Sequence, residues 1–328
     1  MDPDESTLRI LATQRIRARS YSPSALQQFA ACPYRFLLYA IHRLQEREEA
    51  QAIEKLDPLT RGGLFHQVQF ELFGELERDG LLPVTEENLS QAMGIADQVL
   101  DRVAARYEED LAPAIPQIWK SEIEDLRTDL RGWTRRLVSI HAEWLPIHFE
   151  YAFGLPLGGA LGPERDPKSS PGEAVVLDGV RLRGSIDLVE RHRTRDVLRV
   201  TDHKTGKVPQ QTPTSVGGGE VLQPVLYSLA AEKLLGQKVE SGLLYYCTQR
   251  GRYEQIPIVV GREAEERVRY VIETVDGAIE AGFLPAAPRK DACAFCDYRL
   301  VCGPYEERRV KRKPLDRLDA LQRVRCQP

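Results

Sequence analysis

The sequence predicts an α/β fold in which a mixed β-sheet is flanked by helices and preceded by a helical N-terminal body. Three observations carry this. Up to about residue 145, long segments repeat apolar side chains every three or four positions, the period of an amphipathic helix. From about 180 to 204 the pattern changes to strict alternation, the period of a strand with one face in a core. Beyond that, helix-like and strand-like segments take turns, as they do when helices cover a sheet.

Taken in order, residues 1–20 form an N-terminal extension, and the first helix opens in YSPSALQQFAACPYRFLLYAIHRL, where Ser22 and Pro23 supply a cap and a first turn. A second helix, about 61 to 79, aligns Leu64, Val68, Leu72 and Leu76 on one face. Further helical patterns run through about 85 to 110 and about 119 to 145, separated by Pro113 and Pro116. The Gly- and Pro-rich stretch GLPLGGALGPERDPKSSPGEA is a loop. RLRGSIDLVERH, the short polar turn RTRD and VLRVTDHKTG then form a β-hairpin, followed by the loop VPQQTPTSVGGGE. VLQPVLYSLAAEKLLG is a helix, VESGLLYYCTQ and RYEQIPIVV are strands, and a last helix spans about 262 to 281. The helical part is thus about 21–150 and the α/β core about 150–285, with a cysteine-bearing segment at 286–305 and a basic tail at 306–328.

Composition narrows the functional classes. No apolar run approaches the roughly 20 residues of a membrane-spanning helix, and the charged start is unlike a signal peptide, so a cytoplasmic protein is expected. There is no G-x4-G-K-S/T motif and so no phosphate-binding loop of an ATP-driven motor. The formal net charge of −4 gives no global attraction to nucleic acid. A local basic run, Arg308, Arg309, Lys311, Arg312 and Lys313, is more simply read as a solvated tail. Of six cysteines, Cys247 lies in an apolar strand, Cys326 is incidental, and Cys293, Cys296 and Cys302 form a C-x2-C-x5-C group with Cys32 far upstream.

Along a strand, Asp202 and Lys204 project together while His203 faces the other way. Asp187, opposite in facing to Ile186 and Leu188, can meet Asp202 across the hairpin. Two facing carboxylates repel unless a cation lies between them, and Mg2+ or Mn2+ suits oxygen ligands and phosphate chemistry. The plain alternative is an Asp/Lys ion pair on a sheet edge.

GSIDLVE followed by VTDHKTGK resembles the paired motifs of the PD-(D/E)XK nuclease superfamily, in particular RecB/AddB-type nuclease domains. The resemblance extends upstream to RGGLFHQ, which places a metal-binding histidine at His66, and downstream to Gln223 and Tyr227, which match a Q-x3-Y motif. From the residues alone, His66 on a face with Phe70 and Phe73 also fits a core histidine, and Gln223 and Tyr227, one helical turn apart, fit an ordinary helix face. Glu150 is an accessory acid by the same resemblance. Related nucleases that carry a 4Fe-4S cluster place one cysteine in a C-P-Y/F-R context before the motifs and three after them. Cys32 in ACPYRF and Cys293, Cys296 and Cys302 in ACAFCDYRLVCG follow that order, so the resemblance covers about 22 to 305, with zinc as the alternative metal.

The resemblance implies a restriction-endonuclease-like core and an iron-sulfur staple between the N- and C-terminal segments. It also implies a DNA exonuclease or end-processing nuclease of repair and recombination. Asp187, Asp202 and His66 would hold Mg2+ or Mn2+, Lys204 would position the attacking water, and Gln223 and Tyr227 would support it. DNA is the expected partner, with a helicase on a separate chain. Two alternatives remain: a CRISPR-adaptation-type nuclease, generally shorter and without so large a helical insert, and a non-catalytic iron-sulfur DNA-binding protein of a helicase-nuclease complex.

Overall fold

The computed structural model describes residues 4–45, 55–156, 165–294, 296–313 and 316–328. Part of the predicted Gly/Pro-rich loop, residues 157–164, lies outside them. Helix α1 (Glu5–Ala12) precedes α2 (Pro23–Ala31), whose cap is as expected: the Ser22 hydroxyl accepts the Ala25 N–H at 3.2 Å. The helix breaks at Cys32, which is extended (φ −167°, ψ 122°) because Pro33 follows it, and resumes as α3 (Pro33–Phe36) and a π-helical turn at Leu37–Ile41.

Helix α4 (Pro58–Arg78) starts three residues ahead of the periodic signal, because Asp57 caps it by accepting the Leu59 and Thr60 amides at 2.8 and 3.0 Å. With α5 (Leu89–Leu111) and α6 (Pro116–His141) it forms a helical layer. Its interior contains the four predicted leucine and valine side chains of α4, Trp119 and Trp133.

The main sheet has five strands in the order β1-β4-β5-β6-β7. These are β1 (Trp144–Phe153), β4 (Gly184–His192), β5 (Leu198–Lys204), β6 (Val239–Tyr246) and β7 (Gln255–Val259), with a small hairpin, β2 (Ala174–Val176) and β3 (Val180–Leu182), set apart. All neighbours are antiparallel except β5 and β6, whose connection runs through α7 (Gln223–Leu235). The sheet is therefore mixed, as predicted. Strand β1 is an addition, since the helix expected to reach about 145 ends at His141. Pro146 and a bulge at Ile147 interrupt the alternation that would have marked WLPIHFEYAF as a strand.

The sheet separates two cores. One face carries Phe149, Leu188, Leu243 and Tyr245 toward the α4–α6 layer. The other packs Tyr151, Val200, Leu244 and Ile258 against α2, α7 and α8 (Arg262–Glu280). After α8 come the short helices α9 (Arg299–Cys302) and α10 (Glu306–Arg309), and then α11 (Asp319–Arg325), which returns Leu321 and Val324 to the second core. Backbone N–H groups of Val216, Gly217 and Gly218, in the loop before α7, donate to the carbonyls of Pro328 and Gln327. No helix among the described residues is long and apolar enough to cross a membrane.

His141 ends α6 fully buried, its Nδ1 accepting the Val84 N–H at 3.0 Å, and burial lowers its pKa from 6.5 to about 4. The folded protein thus binds this proton less readily than the unfolded chain does. The stability that the neutral ring supports is complete above the ordinary value and is lost as pH falls toward the folded one. Denaturant titrations between pH 6.5 and 4 are expected to show a decline in unfolding free energy of which about 3 kcal/mol disappears in His141→Gln. An equal slope in the two proteins would contradict this assignment.

Candidate active site

Strands β4 and β5 pair regularly only as far as Leu188 and Thr201. At the next step the Asp187 side chain intervenes, its Oδ2 accepting the backbone N–H of His203 at 2.7 Å. The regular alternation expected across Asp187 does not hold, because Ile186 packs into the core with α7 and Leu188 into the opposite one. Directly across from Asp187, between the pairs Phe149–Leu188 and Tyr151–Ile186, stands Glu150 with φ +50°. A left-handed residue inside a strand costs on the order of 1–3 kcal/mol, and its surroundings must hold it there. The Glu150 carbonyl accepts the Asp166 N–H, and its Oε2 accepts the Ser185 hydroxyl at 2.9 Å.

From the helical layer, α4 brings His66 to these two acids. Its Nδ1 lies 3.6 Å from Asp187 Oδ2 and 3.7 Å from Glu150 Oε1, and one ligand atom from each of the three residues falls within 4.8 Å of the others. From the other side of the sheet, Lys204 Nζ lies 2.6 Å from Asp202 Oδ2 and donates to Gln223 Oε1 at 3.0 Å. Tyr227, one turn along α7, is buried edge-on to Phe153 at 6.1 Å. His203 points the opposite way, into an aromatic cluster with Trp133 and Tyr245.

Three carboxylates and two cationic groups share the site. Burial raises the Asp187 pKa, and the charges of Asp202 and Glu150 raise it further against the pull of His66. Burial disfavours a charged His66, but Asp187, Glu150 and Asp202 together outweigh it and hold the imidazolium. For Lys204 also, burial is overcome by Asp202 and Asp187, so the ammonium is held. Burial pushes the Tyr227 phenol above its ordinary range. An imidazolium between acids marks a place where a cation is stabilised, and two carboxylates with one imidazole are an ordinary donor set for a divalent ion.

The structure therefore brings together His66, Glu150 and Asp187 as one group and Asp202, Lys204 and Gln223 as another. Asp202, assigned from the sequence to the metal set, has its near oxygen on Lys204, and Glu150 occupies the third place beside His66. Two contributors carried no signal in the sequence. Ser185 fixes Glu150, and the His203 amide holds Asp187.

Away from the acids, Cys32, Cys293, Cys296 and Cys302 line one cavity of about 400 Å3 with Tyr34, Arg35 and Arg299. Cys32 is buried at the α2–α3 break, and the Cys302 carbonyl accepts from Arg309 at 2.6 Å. All six cysteines are free of disulfides. Burial and neighbouring Glu307 push the Cys293 thiol up to about 11, while burial raises those of Cys32 and Cys302. A bound cation is what would ionise such a set.

A mixed five-stranded sheet flanked by helices is consistent with a restriction-endonuclease-like fold, and comparison with known families agrees. The model of the PD-(D/E)XK nuclease superfamily matches residues 20–303, and the chain belongs to that superfamily. Among curated relatives, an ATP-dependent helicase/deoxyribonuclease subunit from Symbiobacterium thermophilum is 33% identical over 238 residues, covering 68% of this chain and 19% of that protein. Its namesake from Moorella thermoacetica is 31% identical over 259 residues, 76% of this chain and 21% of that protein. The Gene 69 protein of Mycobacterium phage L5 is 29% identical over 135 residues, 40% of this chain and 43% of that protein. The chain thus spans roughly one fifth of the length of the two helicase/deoxyribonuclease proteins.

A close approach inside the site is testable without any assay of activity. A Cβ added at Gly184 would come 2.8 Å from the Tyr227 hydroxyl and 2.9 Å from its ring. Gly184→Ala should cost about 1–3 kcal/mol in urea unfolding, as overpacking does. Adding Tyr227→Phe should recover part of that loss, and additive effects would show that the two positions do not press on each other.

Proposed function

We propose that this chain is a metal-dependent DNA nuclease, an exonuclease or end-processing enzyme of DNA repair and recombination. It would work with a helicase. The observation that carries this reading is the group of His66, Glu150 and Asp187, set next to an ammonium, Lys204, that Asp202 and Gln223 hold. Membership in the superfamily and the helicase/deoxyribonuclease activity for which the relatives are named support it.

His66, Glu150 and Asp187 would hold Mg2+ or Mn2+, with Asp202 adding its charge to the same group. Such an ion, when bound, offsets charge on the scissile phosphate and eases deprotonation of water. Lys204 is charged and fixed at two points, and an ammonium has three N–H donors, so it can orient the attacking water or receive the developing negative charge. Gln223 holds the ammonium from one side, and the buried Tyr227, one turn along α7, would help to steady it. The loop at 207–220 follows Lys204 directly and would guide the DNA strand. The presence of every one of these side chains disfavours a non-catalytic scaffold.

Purified protein incubated with linear and circular DNA should degrade the linear form with Mg2+ or Mn2+ and not with EDTA. Asp187→Ala and Lys204→Ala should each lose cleavage by at least about a hundredfold while keeping cooperative unfolding. Full activity in either variant, or degradation that survives EDTA, would sink the assignment.

We infer also that the four-cysteine cavity holds a 4Fe-4S cluster as a structural staple. Four disulfide-free cysteines, one from near the start of the chain and three from near its end, line the same cavity, and four thiolates are the usual ligand set of such a cluster, with a single zinc ion as the alternative. Anaerobically purified protein should show broad visible absorption that bleaches on reduction. A colourless protein with stoichiometric zinc would refute the cluster.

A further inference from the structure

Helix α7 begins without a cap of its own. Leu222 precedes its first turn and offers no side-chain acceptor, and Pro224 has no N–H to place. Two amides at this end, those of Leu222 and Gln223, both donate to a single atom from another helix, Oε1 of Gln27, at 3.0 and 3.2 Å. Gln27 lies on α2 and is part-buried.

The amide of Gln223 is held by Gln27, and its side chain holds Lys204: Gln223 Oε1 accepts Nζ at 3.0 Å, and the same Nζ lies 2.6 Å from Asp202. A helix start with unsatisfied donors frays first, and fraying here would move the residue that fixes the ammonium. A chain of direct contacts therefore runs from α2 to the lysine.

We propose that Gln27 is a positioning residue for the reaction, acting through the first turn of α7 to keep Lys204 aimed at the acids. The inference rests on the nuclease reading for its catalytic consequence but not for its structural one. Gln27 touches neither DNA nor metal in this role. It sets where Gln223 stands, and Gln223 sets where the ammonium stands.

Two variants separate the possibilities. Gln27→Met keeps length and bulk but removes the acceptor, and Gln27→Glu restores two acceptors at a helix start that favours negative charge. In Gln27→Met the amides of residues 222 and 223 should exchange hydrogen about tenfold faster, and Lys204 should be acylated faster by an amine-reactive ester, read by peptide mass spectrometry. The turnover rate kcat should fall about tenfold with KM for linear DNA little changed, the mark of a group that matters in the transition state. Gln27→Glu should return all three readouts toward the parent.

Faster amide exchange with unaltered Lys204 labelling and kcat would make Gln27 a cap alone and overturn the proposal. So would no change in any readout. If the parent protein shows no metal-dependent cleavage, the nuclease reading fails, and the labelling of Lys204 still decides whether Gln27 positions it.

Discussion

A carboxylate that takes a backbone N–H from a neighbouring strand does the work of a missing carbonyl, and Asp187 does this for His203. Most of the site depends on that substitution. It lets β4 and β5 part without stranding a buried donor, which would cost roughly as much as a lost hydrogen bond. The opening lets α4 reach the sheet with His66 from one side, while α7 reaches Lys204 with Gln223 from the other. Asp187 is thereby fixed at one oxygen by the fold itself before any ligand arrives.

The acids are assembled at some expense to the sheet. Glu150 sits in a left-handed conformation that a strand rarely accepts, secured by the loop residue Asp166 and by Ser185. Asp166 is itself anchored, its carboxylate meeting His148 at 2.8 Å and accepting the Lys168 amide at 2.7 Å. The Asp166 end of the Gly/Pro-rich segment thus helps to aim a site residue. Strain at this point and the clustered charge around His66 belong to one design, in which folding energy holds groups that would otherwise move apart.

Much of this was legible in the sequence where periodicity was clean. The β4–β5 hairpin, α7, β6, β7 and α8 follow their patterns closely, and the parity of a strand correctly put Asp202 and Lys204 on one face with His203 on the other. Parity failed at Asp187 for the reason that makes the residue interesting: the strand is irregular there, so Ile186 and Leu188 enter different cores. Strand β1 was hidden by Pro146 and its bulge, and with it the geometry that brings Glu150 beside His66. The basic run near the C-terminus looked solvated, yet Lys313 reaches Glu306 and the Ala286 carbonyl and Arg309 reaches Cys302, while Arg308, Lys311 and Arg312 face outward. Composition cannot distinguish a charge spent internally from one left open.

The ring of His203 lies against Trp133, in the middle of α6, while its amide lies against Asp187. One residue therefore joins the helical layer to the acid cluster through two different atoms. Attempts to reduce this protein to a minimal sheet by excising residues 58–141 would strip His66 and also unseat the strand that carries Asp202 and Lys204. The helical layer is for that reason an inseparable half of the machine, and any smaller version would need a new aromatic floor under β5 before it could keep its acids in place.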